Sequence, residues 1–351
     1  MNNYFDLLRQ VREEHEMASS GVNKDSRVLV VDGLNSFIRV FSAVPLVNDD
    51  GDHVGGYMGF LRSIAAAIRQ FKPTRCIIVF DGKGGSARRK KLHSGYKEGR
   101  SMSTRFNRIE DVGFQSVEEE LESMRKQMGR LSEYLQNLPI TVISIDNIEA
   151  DDAIAYLTTD VFRPKNSEVV IMSDDKDFIQ LIDEKTSVWR PVEKKYYTPK
   201  EVLDRFGIPA HNFIHYKIFM GDNSDNIAGI KGIGIKTLQK KFPILLEDTR
   251  YSVEDVIDYA KQHVDDHKIY KQVVDSEKTL QLSNRLMSLE SLEIPGQTKL
   301  LISDIANHPV PELNMFQFKK LFMVDKLYSV IPNVDSWIAS SFQTLSAYSR
   351  I

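Results

Sequence analysis

Four short apolar runs follow one another in the first half of the chain, and each ends directly before acidic residues. The runs are rich in β-branched residues and lack polar alternation, which is typical of strands buried on both faces of a parallel sheet. Helical stretches at about 56–71, 116–137 and 150–161 separate them, and this alternation predicts an open, mostly parallel α/β sheet with helices on both faces. The runs are Val28–Val31 before Asp32, Ile77–Phe80 before Asp81, Ile140–Ile145 before Asp146, and Val169–Met172 before Asp174 and Asp175.

The second half of the chain has a mostly helical pattern. Residues 186–191 predict a further strand, after which Thr198-Pro-Lys-Glu combines an N-cap Thr, a Pro at the first helical position and a Glu at the third. We expect an accessory helix and linker over 1–26, an α/β domain over 27–198, and a helical domain over 199–351 that includes a weakly patterned tail from about 290. The predicted later helices lie at 211–220, 235–241, 253–283, 312–323 and 334–345.

Composition narrows the class of protein. The 351 residues are 42% hydrophobic and 27% charged, which is a globular composition. No apolar run reaches about 18 residues and no signal peptide opens the chain, so we expect a cytoplasmic protein without a membrane span. The single cysteine, Cys76, excludes an intramolecular disulfide and a thiolate metal cluster, and its apolar surroundings predict a buried strand thiol.

Acidic residues are concentrated where the predicted sheet has its functional edge, beyond the carboxyl ends of the strands. A single Asp after a strand is an ordinary turn residue, but several strands share this feature. Converging carboxylates raise each other's pKa unless a cation neutralises them, and Mg²⁺ prefers such oxygen ligands. Two ions of this kind clamp the attacking and leaving oxygens of a phosphodiester. Three more groups join the edge: Glu149, Asp151 and Asp152 before a helix, Asp175 and Asp177 at a turn, and Asp222 and Asp225 on one predicted helical turn.

A basic stretch stands out in a chain whose net charge is -3 and whose pI is about 6.3. Between Lys83 and Arg108 there are nine Lys or Arg residues and one acid, Glu98, which gives this stretch a net charge of +8. We expect a cationic loop that holds phosphates beside the carboxylates, and a solvated charged loop is the alternative. Tyr96, inside this stretch, is a candidate for stacking on a base.

The glycine-rich segment Gly229-Ile-Lys-Gly-Ile-Gly-Ile-Lys resembles a helix-hairpin-helix, expected over about 218–242. Its glycines permit a tight turn and a close approach of the backbone to a phosphate at the start of the next helix. A simple tight turn is the alternative, but the position directly after the Asp222 and Asp225 pair favours a nucleic-acid contact. The candidate contacts are Gly229, Lys231, Gly232, Ile233, Gly234 and Lys236.

Taken together, these segments resemble the flap endonuclease or 5′-3′ exonuclease superfamily, and most of all its bacteriophage members of the phage ribonuclease H type. The matching segments occur in family order over roughly 27–245. They are Val30-Val-Asp-Gly-Leu-Asn, Phe80-Asp-Gly, Tyr96-Lys-Glu-Gly-Arg, Ile148-Glu-Ala-Asp-Asp-Ala, Ser173-Asp-Asp-Lys-Asp-Phe and Met220-Gly-Asp-Asn-Ser-Asp-Asn-Ile-Ala-Gly-Ile-Lys-Gly-Ile-Gly.

The resemblance implies a role for each of these groups. Two Mg²⁺ ions, with Mn²⁺ as a substitute, would be bound by Asp32, Asp81, Glu149, Asp151, Asp152, Asp175, Asp177, Asp222 and Asp225. Lys97 and Arg100 would stabilise the scissile phosphate and Arg39 would help to orient it. A helical arch over about 83–120 would gate a 5′ single strand, with nucleic-acid contacts from Lys83, Arg88, Arg89, Lys90 and Tyr96.

The implied function is a Mg²⁺-dependent, structure-specific 5′ nuclease that removes RNA primers or 5′ flaps during DNA replication. Its partner would be a DNA or RNA–DNA duplex with a 5′ end or flap, and it would act as a monomer in the cytoplasm, that of the host cell if phage-encoded. The tail beyond about 290 would pack on the helical domain or dock a single-stranded-DNA-binding protein. The alternatives are a non-catalytic nucleic-acid clamp on the same fold, a small-molecule phosphatase, and a fragment of a DNA polymerase.

Overall fold

A computed structural model of the chain describes residues 24–98, 114–290 and 293–350. The accessory helix and linker expected over 1–26 lie almost entirely outside these residues. The same holds for part of the expected arch, at 99–113, which includes Arg100.

A six-stranded sheet forms the centre of the described structure. Its strands are β1 (Arg27–Asp32), β2 (Arg75–Asp81), β3 (Thr141–Ile145), β4 (Glu168–Met172), β5 (Thr186–Arg190) and β6 (Lys195–Tyr197). They are arranged in the order β3-β2-β1-β4-β5-β6, with β1 to β5 parallel and β6 antiparallel to β5. The strand order reverses between β1 and β4, and in open α/β sheets this point borders the ligand-binding crevice. The predicted open, mostly parallel sheet is confirmed.

Helices cover both faces of the sheet because alternate strand residues point in opposite directions. Leu29 and Val31 pack into one apolar layer, and Val28 and Val30 into the other. Within the described ranges, no helix has the length and apolar character needed to cross a membrane. The α-helices are α1 (Gly33–Ala43), α2 (Gly55–Phe71), α3 (Ala87–Leu92), α4 (Val117–Leu135), α5 (Ala150–Tyr156), α6 (Pro199–Phe206), α7 (Phe213–Met220), α8 (Ile235–Lys241), α9 (Val253–Gln262), α10 (Lys268–Asp275), α11 (Glu277–Met287), α12 (Gly296–Asn307), α13 (Met315–Val324), α14 (Val334–Ile338) and α15 (Thr344–Ser346).

The helix predicted over 253–283 is in fact three helices, α9 to α11. The His267 side chain accepts a hydrogen bond from the backbone N–H of Ile269 and so caps the start of α10. Ser276 separates α10 from α11. The side chains of these helices join a third apolar cluster, which includes Ile218 of α7 and Leu238 of α8.

The tail packs on the α/β region, mainly on the helices that cover the sheet, so the expectation that it packs on the helical region is corrected. Phe318 and Phe322 of α13 are buried in the same cluster as α1, α2 and α4, and the Phe318 ring lies 5.0 Å from that of Tyr134. On the opposite face, Ile302 and Ala306 of α12 join the second apolar layer. The physical reason is that apolar side chains of α2, α4 and β3 need cover, which α13 and the following residues supply on one side and α12 on the other.

Candidate metal and nucleic-acid site

A cavity of about 360 Å³ lies beyond the carboxyl ends of β1 and β4, and acidic side chains line it. A larger cavity of about 850 Å³ lies at the opposite edge, but Arg27 and Glu168 there neutralise each other as an ion pair. The carboxylates that we expected at one edge of the sheet do lie together there, although they come from segments distant in sequence. Seven of the nine predicted metal ligands line the smaller cavity: Asp32, Asp81, Asp151, Asp175, Asp177, Asp222 and Asp225.

Asp32 ends β1 and caps α1, because its Oδ1 atom accepts a hydrogen bond from the backbone N–H of Asn35 at 3.2 Å. The Ser173 hydroxyl donates to the Oδ2 atom of Asp32 at 2.9 Å, which ties the ends of β1 and β4 together. Burial raises the pKa of Asp32 to about 7, and the nearby Asp175 and Asp81 carboxylates add to the rise. The environment of this carboxyl therefore disfavours its charged form.

Asp81 ends β2 and faces the start of α5. Its Oδ1 atom accepts a hydrogen bond from the backbone N–H of Ala150 at 2.8 Å. The next residue must be small, since a Cβ atom at Gly82 would lie 1.7 Å from the carbonyl oxygen of Ile145. Gly82 thus lets the ends of β2 and β3 approach closely, and this places Asp81 on the same cavity as Asp151.

The turn after β4 contributes Asp175 and Asp177. The backbone N–H of Asp177 donates to the Oδ1 atom of Asp175 at 2.9 Å, which fixes the turn. Burial, together with the charge of Asp175, raises the pKa of Asp177 to about 7. Burial also raises the pKa of Asp151 well above its usual value, with further contributions from Asp175 and Asp32. Asp32, which is buried, and Asp151, Asp175 and Asp177, which are half-buried, therefore form a set of carboxylates that disfavour each other's charge.

Lys217 of α7 forms ion pairs with carboxylates from two segments. Its Nζ atom lies 2.7 Å from Asp177 and 2.8 Å from Asp222. Although burial opposes it, the hydrogen bonds from Lys217 and Ser224 lower the pKa of Asp222 to about 2. The residue between α7 and Asp222 must be glycine, since Gly221 has φ +70° and a Cβ atom there would lie 2.3 Å from the backbone nitrogen of Gly229.

Asp222 and Asp225 do not share a helical turn, contrary to the expectation. Asp222 belongs to β7 (Gly221–Asp222), which pairs with β8 (Ile227–Ala228) as a small antiparallel ladder. Asp225 lies in the turn that joins the two strands, and its backbone N–H donates to the Asp222 carbonyl at 3.3 Å. The turn nevertheless keeps both side chains on the cavity.

Glu149 and Asp152 lie behind the cavity wall, held by Arg89. The Arg89 guanidinium is 3% exposed, and it forms ion pairs with Glu149 and, at 2.7 Å, with Asp152. It also donates to the Leu286 carbonyl at 2.8 Å. Although burial would raise it, the Arg89 and Lys97 charges lower the pKa of Glu149. The expected contact of Arg89 with nucleic acid is therefore corrected, because its donors are used inside the protein.

Tyr96 is also buried, and the expectation that its ring stacks on a base is corrected. The residue is 3% exposed and belongs to the apolar cluster of the helical region. Its hydroxyl donates to Glu149 at 3.3 Å, which further restrains that carboxylate. Burial and the Glu149 charge raise the pKa of Tyr96, which favours the protonated hydroxyl that donates to Glu149. Tyr96 is a structural residue at the base of the basic stretch.

Two of the three predicted catalytic cations lie at the cavity. The Nζ atom of Lys97 lies 2.8 Å from Glu149, and the residue has a left-handed backbone with φ +58°. The Nε atom of Arg39 lies 3.3 Å from Asp174, so this acid positions the Arg39 side chain. Both side chains line the cavity. The third, Arg100, lies outside the described residues.

The predicted nucleic-acid contacts differ in their exposure. Lys83, Lys90, Lys231 and Lys236 are exposed, whereas Arg88 is half-buried and pairs with Asp152 at 3.5 Å. The glycine-rich segment forms the loop before α8, with Gly232 at φ +87° and Gly234 as the N-cap. Ile233 packs its side chain into the apolar cluster and its backbone N–H donates to the Ile230 carbonyl at 3.2 Å, so the backbone contact with a phosphate expected there is corrected. The remaining candidates of this segment are Gly229, Lys231, Gly232, Gly234 and Lys236.

The donor set fits hard divalent cations. Every carboxylate that lines the cavity supplies oxygen ligands, which Mg²⁺ and Mn²⁺ prefer. Burial, with a smaller contribution from neighbouring carboxylates, raises the pKa of Asp32 and of Asp177, so a bound cation would favour their charged forms. Within the described ranges, no three acidic, His or Cys side chains are close enough together to hold one ion. Four of the nine predicted carboxylates instead form ion pairs with Arg89, Lys97 or Lys217: Glu149, Asp152, Asp177 and Asp222. Metal binding would therefore require side-chain rearrangement.

The family model of the N-terminal, resolvase-like domain of 5′-3′ exonucleases matches residues 27–207. The chain belongs to this family. The matched residues include the whole sheet and the carboxylates from Asp32 to Asp177, so the family resemblance seen in the sequence motifs is confirmed. The match ends before the Asp222 and Asp225 pair.

Relatives and one solved structure agree with the family. The chain is 32% identical over 211 residues to the thermostable DNA polymerase I of Thermus filiformis, covering 60% of this chain and 23% of the relative. It is 30% identical over 209 residues to a 5′-3′ exonuclease of Aquifex aeolicus, covering 59% and 66% respectively. The chain thus spans less than two thirds of either relative. The fold is similar to that of the bacteriophage T5 flap endonuclease, with a TM-score of 0.58, 19% identity, and coverage of 86% of this chain and 99% of that chain.

Lys217 and Ser173 are site residues that the sequence interpretation missed. Lys217 is the only cation of α7, whose other residues are almost all apolar or aromatic. A lone lysine in such a helix is a usable signal, because a buried ammonium needs carboxylate partners. Ser173 gave a weaker signal, since its hydroxyl matters through its contacts with Asp32 and the backbone N–H of Asp175.

Proposed function

We propose that this chain is a divalent-metal-dependent, structure-specific 5′ nuclease that hydrolyses phosphodiester bonds near the 5′ end of a strand annealed to a template. The observation that carries the proposal is the gathering of seven of the nine predicted metal-binding carboxylates, together with Asp174, on one cavity at the switch point of the sheet, in a chain of the 5′-3′ exonuclease family. The structure of the T5 flap endonuclease, which shares the fold, contains DNA and metal ions.

The metal-binding role is assigned to the nine predicted carboxylates, with two Mg²⁺ ions as the preferred cofactor. Asp32, Asp81, Asp151, Asp175 and Asp225 would act directly from the cavity wall, whereas Asp177 and Asp222, which also line it, would do so while sharing their charge with Lys217. Glu149 and Asp152 would take part after partial release from Arg89. When bound, divalent ions supply Lewis-acid activation of water and neutralise charge on the phosphodiester.

The cations of the cavity would act on the substrate phosphate. Lys97 would donate a hydrogen bond to a non-bridging oxygen of the scissile phosphate, where charge grows as the bond breaks. Arg39, restrained by Asp174, would hold the phosphate in one orientation. We assign Arg100 a role like that of Lys97, on the strength of its place in the family motif. The carboxylates with raised pKa would lose their protons when cations neutralise the cluster.

Duplex binding is assigned to exposed lysines of the basic stretch and of the glycine-rich segment. Lys83 precedes α3 and Lys90 lies on it, while Lys231 lies in the glycine-rich loop and Lys236 in α8. We propose that this loop acts as a helix-hairpin-helix within about 218–242. Because such contacts address the phosphate backbone, sequence specificity should be low and affinity should fall with salt. A DNA or RNA–DNA duplex with a 5′ end or flap is the substrate that fits.

The proposed biological role is removal of RNA primers or 5′ flaps during DNA replication, by a monomer in the cytoplasm. We propose an α/β nuclease unit over 27–198 and a helical unit from 199. A single-stranded-DNA-binding protein is the proposed partner of the C-terminal region. The exposed side chains of α13, such as Phe316 and Met323, leave room for such a contact.

The test is a Mg²⁺ titration of 5′-labelled nicked duplex, flap duplex and RNA–DNA hybrid, with product sizes read on a gel. The expected result is Mg²⁺-dependent release of short 5′ products. The matched control is Asp151→Asn, which removes one charge from a repelling cluster; it should reduce the rate on the order of 10³-fold while the protein stays folded. Duplex binding without cleavage would indicate a non-catalytic clamp. Hydrolysis restricted to small phosphate esters would indicate a phosphatase.

A further inference from the structure

Asp174 lines the carboxylate cavity, but it is not one of the nine predicted metal ligands. Both oxygens of its side chain have partners in the protein. The Oδ1 atom accepts a hydrogen bond from the backbone N–H of Val192 at 3.0 Å, and the Oδ2 atom lies 3.3 Å from the Nε atom of Arg39. Asp174 therefore joins the turn after β5 to a cation of α1.

The backbone of Asp174 is fixed as well. Its N–H donates to the Oδ1 atom of Asn35 on α1 at 3.3 Å, and its carbonyl accepts a hydrogen bond from the Nη2 atom of Arg190 at 2.7 Å. Arg190 ends β5, is 6% exposed, and forms an ion pair with Glu193 of the turn. Because these elements restrain the backbone of Asp174, its carboxylate has a defined position.

The Arg39 guanidinium is held at two of its three nitrogens. Besides the Nε contact with Asp174, its Nη2 atom donates to the hydroxyl of Ser63 on α2 at 3.2 Å. The third nitrogen, Nη1, makes no hydrogen bond to the residues that the structure describes. Guanidinium N–H groups are good donors to phosphate oxygens, so Nη1 is available to a phosphate in the cavity that Arg39 lines.

Building on the nuclease function proposed above, we propose that Asp174 is a positioning residue for Arg39. The turn between β5 and β6 holds Asp174 in place, and Asp174 orients Arg39 so that Nη1 donates to a non-bridging oxygen of the scissile phosphate. Asp174 acts in this way through Arg39 and not as a metal ligand. A side chain that is held in advance need not be ordered when the substrate binds, and small misplacements of such groups slow the reaction.

A double-mutant cycle tests this role, with the full chain, Mg²⁺ and a 5′-labelled flap duplex under single-turnover conditions. Asp174→Asn keeps the size of the side chain and an acceptor for the Val192 N–H, but it removes the charge. This change should lower the rate about tenfold in the wild type and by less than about twofold in Arg39→Gln, because its effect passes through Arg39. Asp146→Asn is the matched control. Asp146 is an exposed acid after β3 that does not line the cavity, so the rate should change by less than about twofold.

The metal requirement separates this role from direct metal binding. Asp174 lies next to Asp175, a proposed metal ligand, so an effect on the bound ions is the alternative explanation. The Mg²⁺ concentration that gives half of the maximal rate should stay within about twofold of the wild-type value in Asp174→Asn. Loss of an interaction that supports a metal site typically weakens metal binding about tenfold or more.

The part played by the turn is tested at Val192, which is 65% exposed. Val192 is the second residue of the turn that the hydrogen bond from the Lys194 N–H to the Pro191 carbonyl closes. Proline is favoured at this position of common turns, and Val192→Pro removes the N–H that donates to Asp174. The rate should fall about fivefold, as expected for the loss of one hydrogen bond. Val192→Ala keeps the N–H and is the matched control, with a rate within about twofold of the wild type.

The possible failures can be told apart. If Asp174→Asn slows the wild type and Arg39→Gln equally, or raises the Mg²⁺ requirement about tenfold or more, the inference is overturned and the nuclease proposal stands. The same conclusion follows from a wild-type rate in Asp174→Asn or in a folded Val192→Pro variant. If the wild-type protein cleaves none of the 5′ substrates, the nuclease proposal is overturned together with the inference. Thermal melting of each variant establishes that the compared proteins are folded.

Discussion

The ammonium nitrogen of Lys217 lies 2.7 Å from the Oδ1 atom of Asp177, and this contact joins α7 to the turn after β4. The same nitrogen contacts Asp222 on the ladder that follows α7. Lys217 is 8% exposed, and burial would lower its pKa, but the Asp177 and Asp222 charges raise the pKa instead. A permanent cation thus holds together two segments that would otherwise repel each other.

Replacing Lys217 should make the stability of the protein depend on divalent ions. In Lys217→Met the two carboxylates lose their buried partner, so the free energy of unfolding in EDTA should fall by about 3–5 kcal/mol. Saturating Mg²⁺ should restore more stability to this variant than it adds to the wild type. Urea unfolding with and without Mg²⁺ measures the difference. Lys217→Arg keeps the charge and is the control. If Mg²⁺ stabilised the wild type and Lys217→Met equally, Lys217 would not be the group that neutralises these two carboxylates.

Arg89 and Lys90 are adjacent cations of α3 with different environments, and they should behave differently. Arg89→Gln leaves Glu149 and Asp152 without their buried partner and should cost about 3–5 kcal/mol of stability. Lys90→Gln changes an exposed residue and should alter stability by less than about 0.5 kcal/mol. Lys90→Gln should instead weaken duplex binding and reduce by about one the slope of log affinity against log salt concentration. Chemical unfolding measures the stability of both variants, and duplex binding at several salt concentrations measures their affinity. If Arg89→Gln weakened duplex binding and Lys90→Gln destabilised the protein instead, Arg89 would be a nucleic-acid contact.

Lys97 should affect hydrolysis more than binding. Lys97→Ala removes the ammonium group proposed to stabilise charge on the scissile phosphate, so the single-turnover rate should fall by about 10²–10³-fold. Duplex affinity should change far less, because many other cations contribute to it. Lys91→Ala, a change of an exposed residue of α3, is the control for loss of one charge. If affinity and rate fell together, Lys97 would be only a part of the electrostatic attraction.

His215 should make the helical region sensitive to acid. Its Nε2 atom contacts the Tyr251 carbonyl at 2.8 Å, while Nδ1 is buried and has no hydrogen-bond partner in the described structure. Burial lowers the pKa of His215 from 6.5 to about 4, although the Tyr251 contact and the Asp255 charge oppose this. Between these two values the unfolded chain binds more protons, so the free energy of unfolding falls with falling pH, by about 3 kcal/mol in full.

Urea unfolding at several pH values from neutral to about 4 measures this effect. His215→Gln cannot take up the proton, so its free energy of unfolding should depend less steeply on pH than that of the wild type. The difference between the two proteins isolates His215 from the many carboxylates that also titrate in this range. Identical pH profiles would show that another group is responsible.

The sequence predicted those parts of the fold and site that depend on local order along the chain. Asp32 and Asp81 follow β-branched runs directly, so their place at one edge follows once the strands are parallel. The packing of Phe318 on Tyr134 was not predictable in this way, since it pairs segments far apart in sequence and no local pattern encodes that pairing.

Arg89 shows the same limit within the site. In the sequence it is one of several neighbouring cations, and nothing local separates it from Lys90. What distinguishes it is that its side chain meets Glu149 and Asp152, which begin a helix about 60 residues later. Burial decides whether a cation attracts nucleic acid or neutralises the protein's own charge, and burial is a property of the tertiary structure.

The packing of the C-terminal segment on the α/β region has a practical consequence for the choice of fragment boundaries. A fragment cut at the family boundary, residue 207, would leave bare the apolar surface that Phe318, Phe322 and Phe342 now shield. Such a fragment should self-associate in solution, as exposed apolar patches of this kind do. Expression boundaries therefore need to extend through Leu345, whose side chain completes that shield.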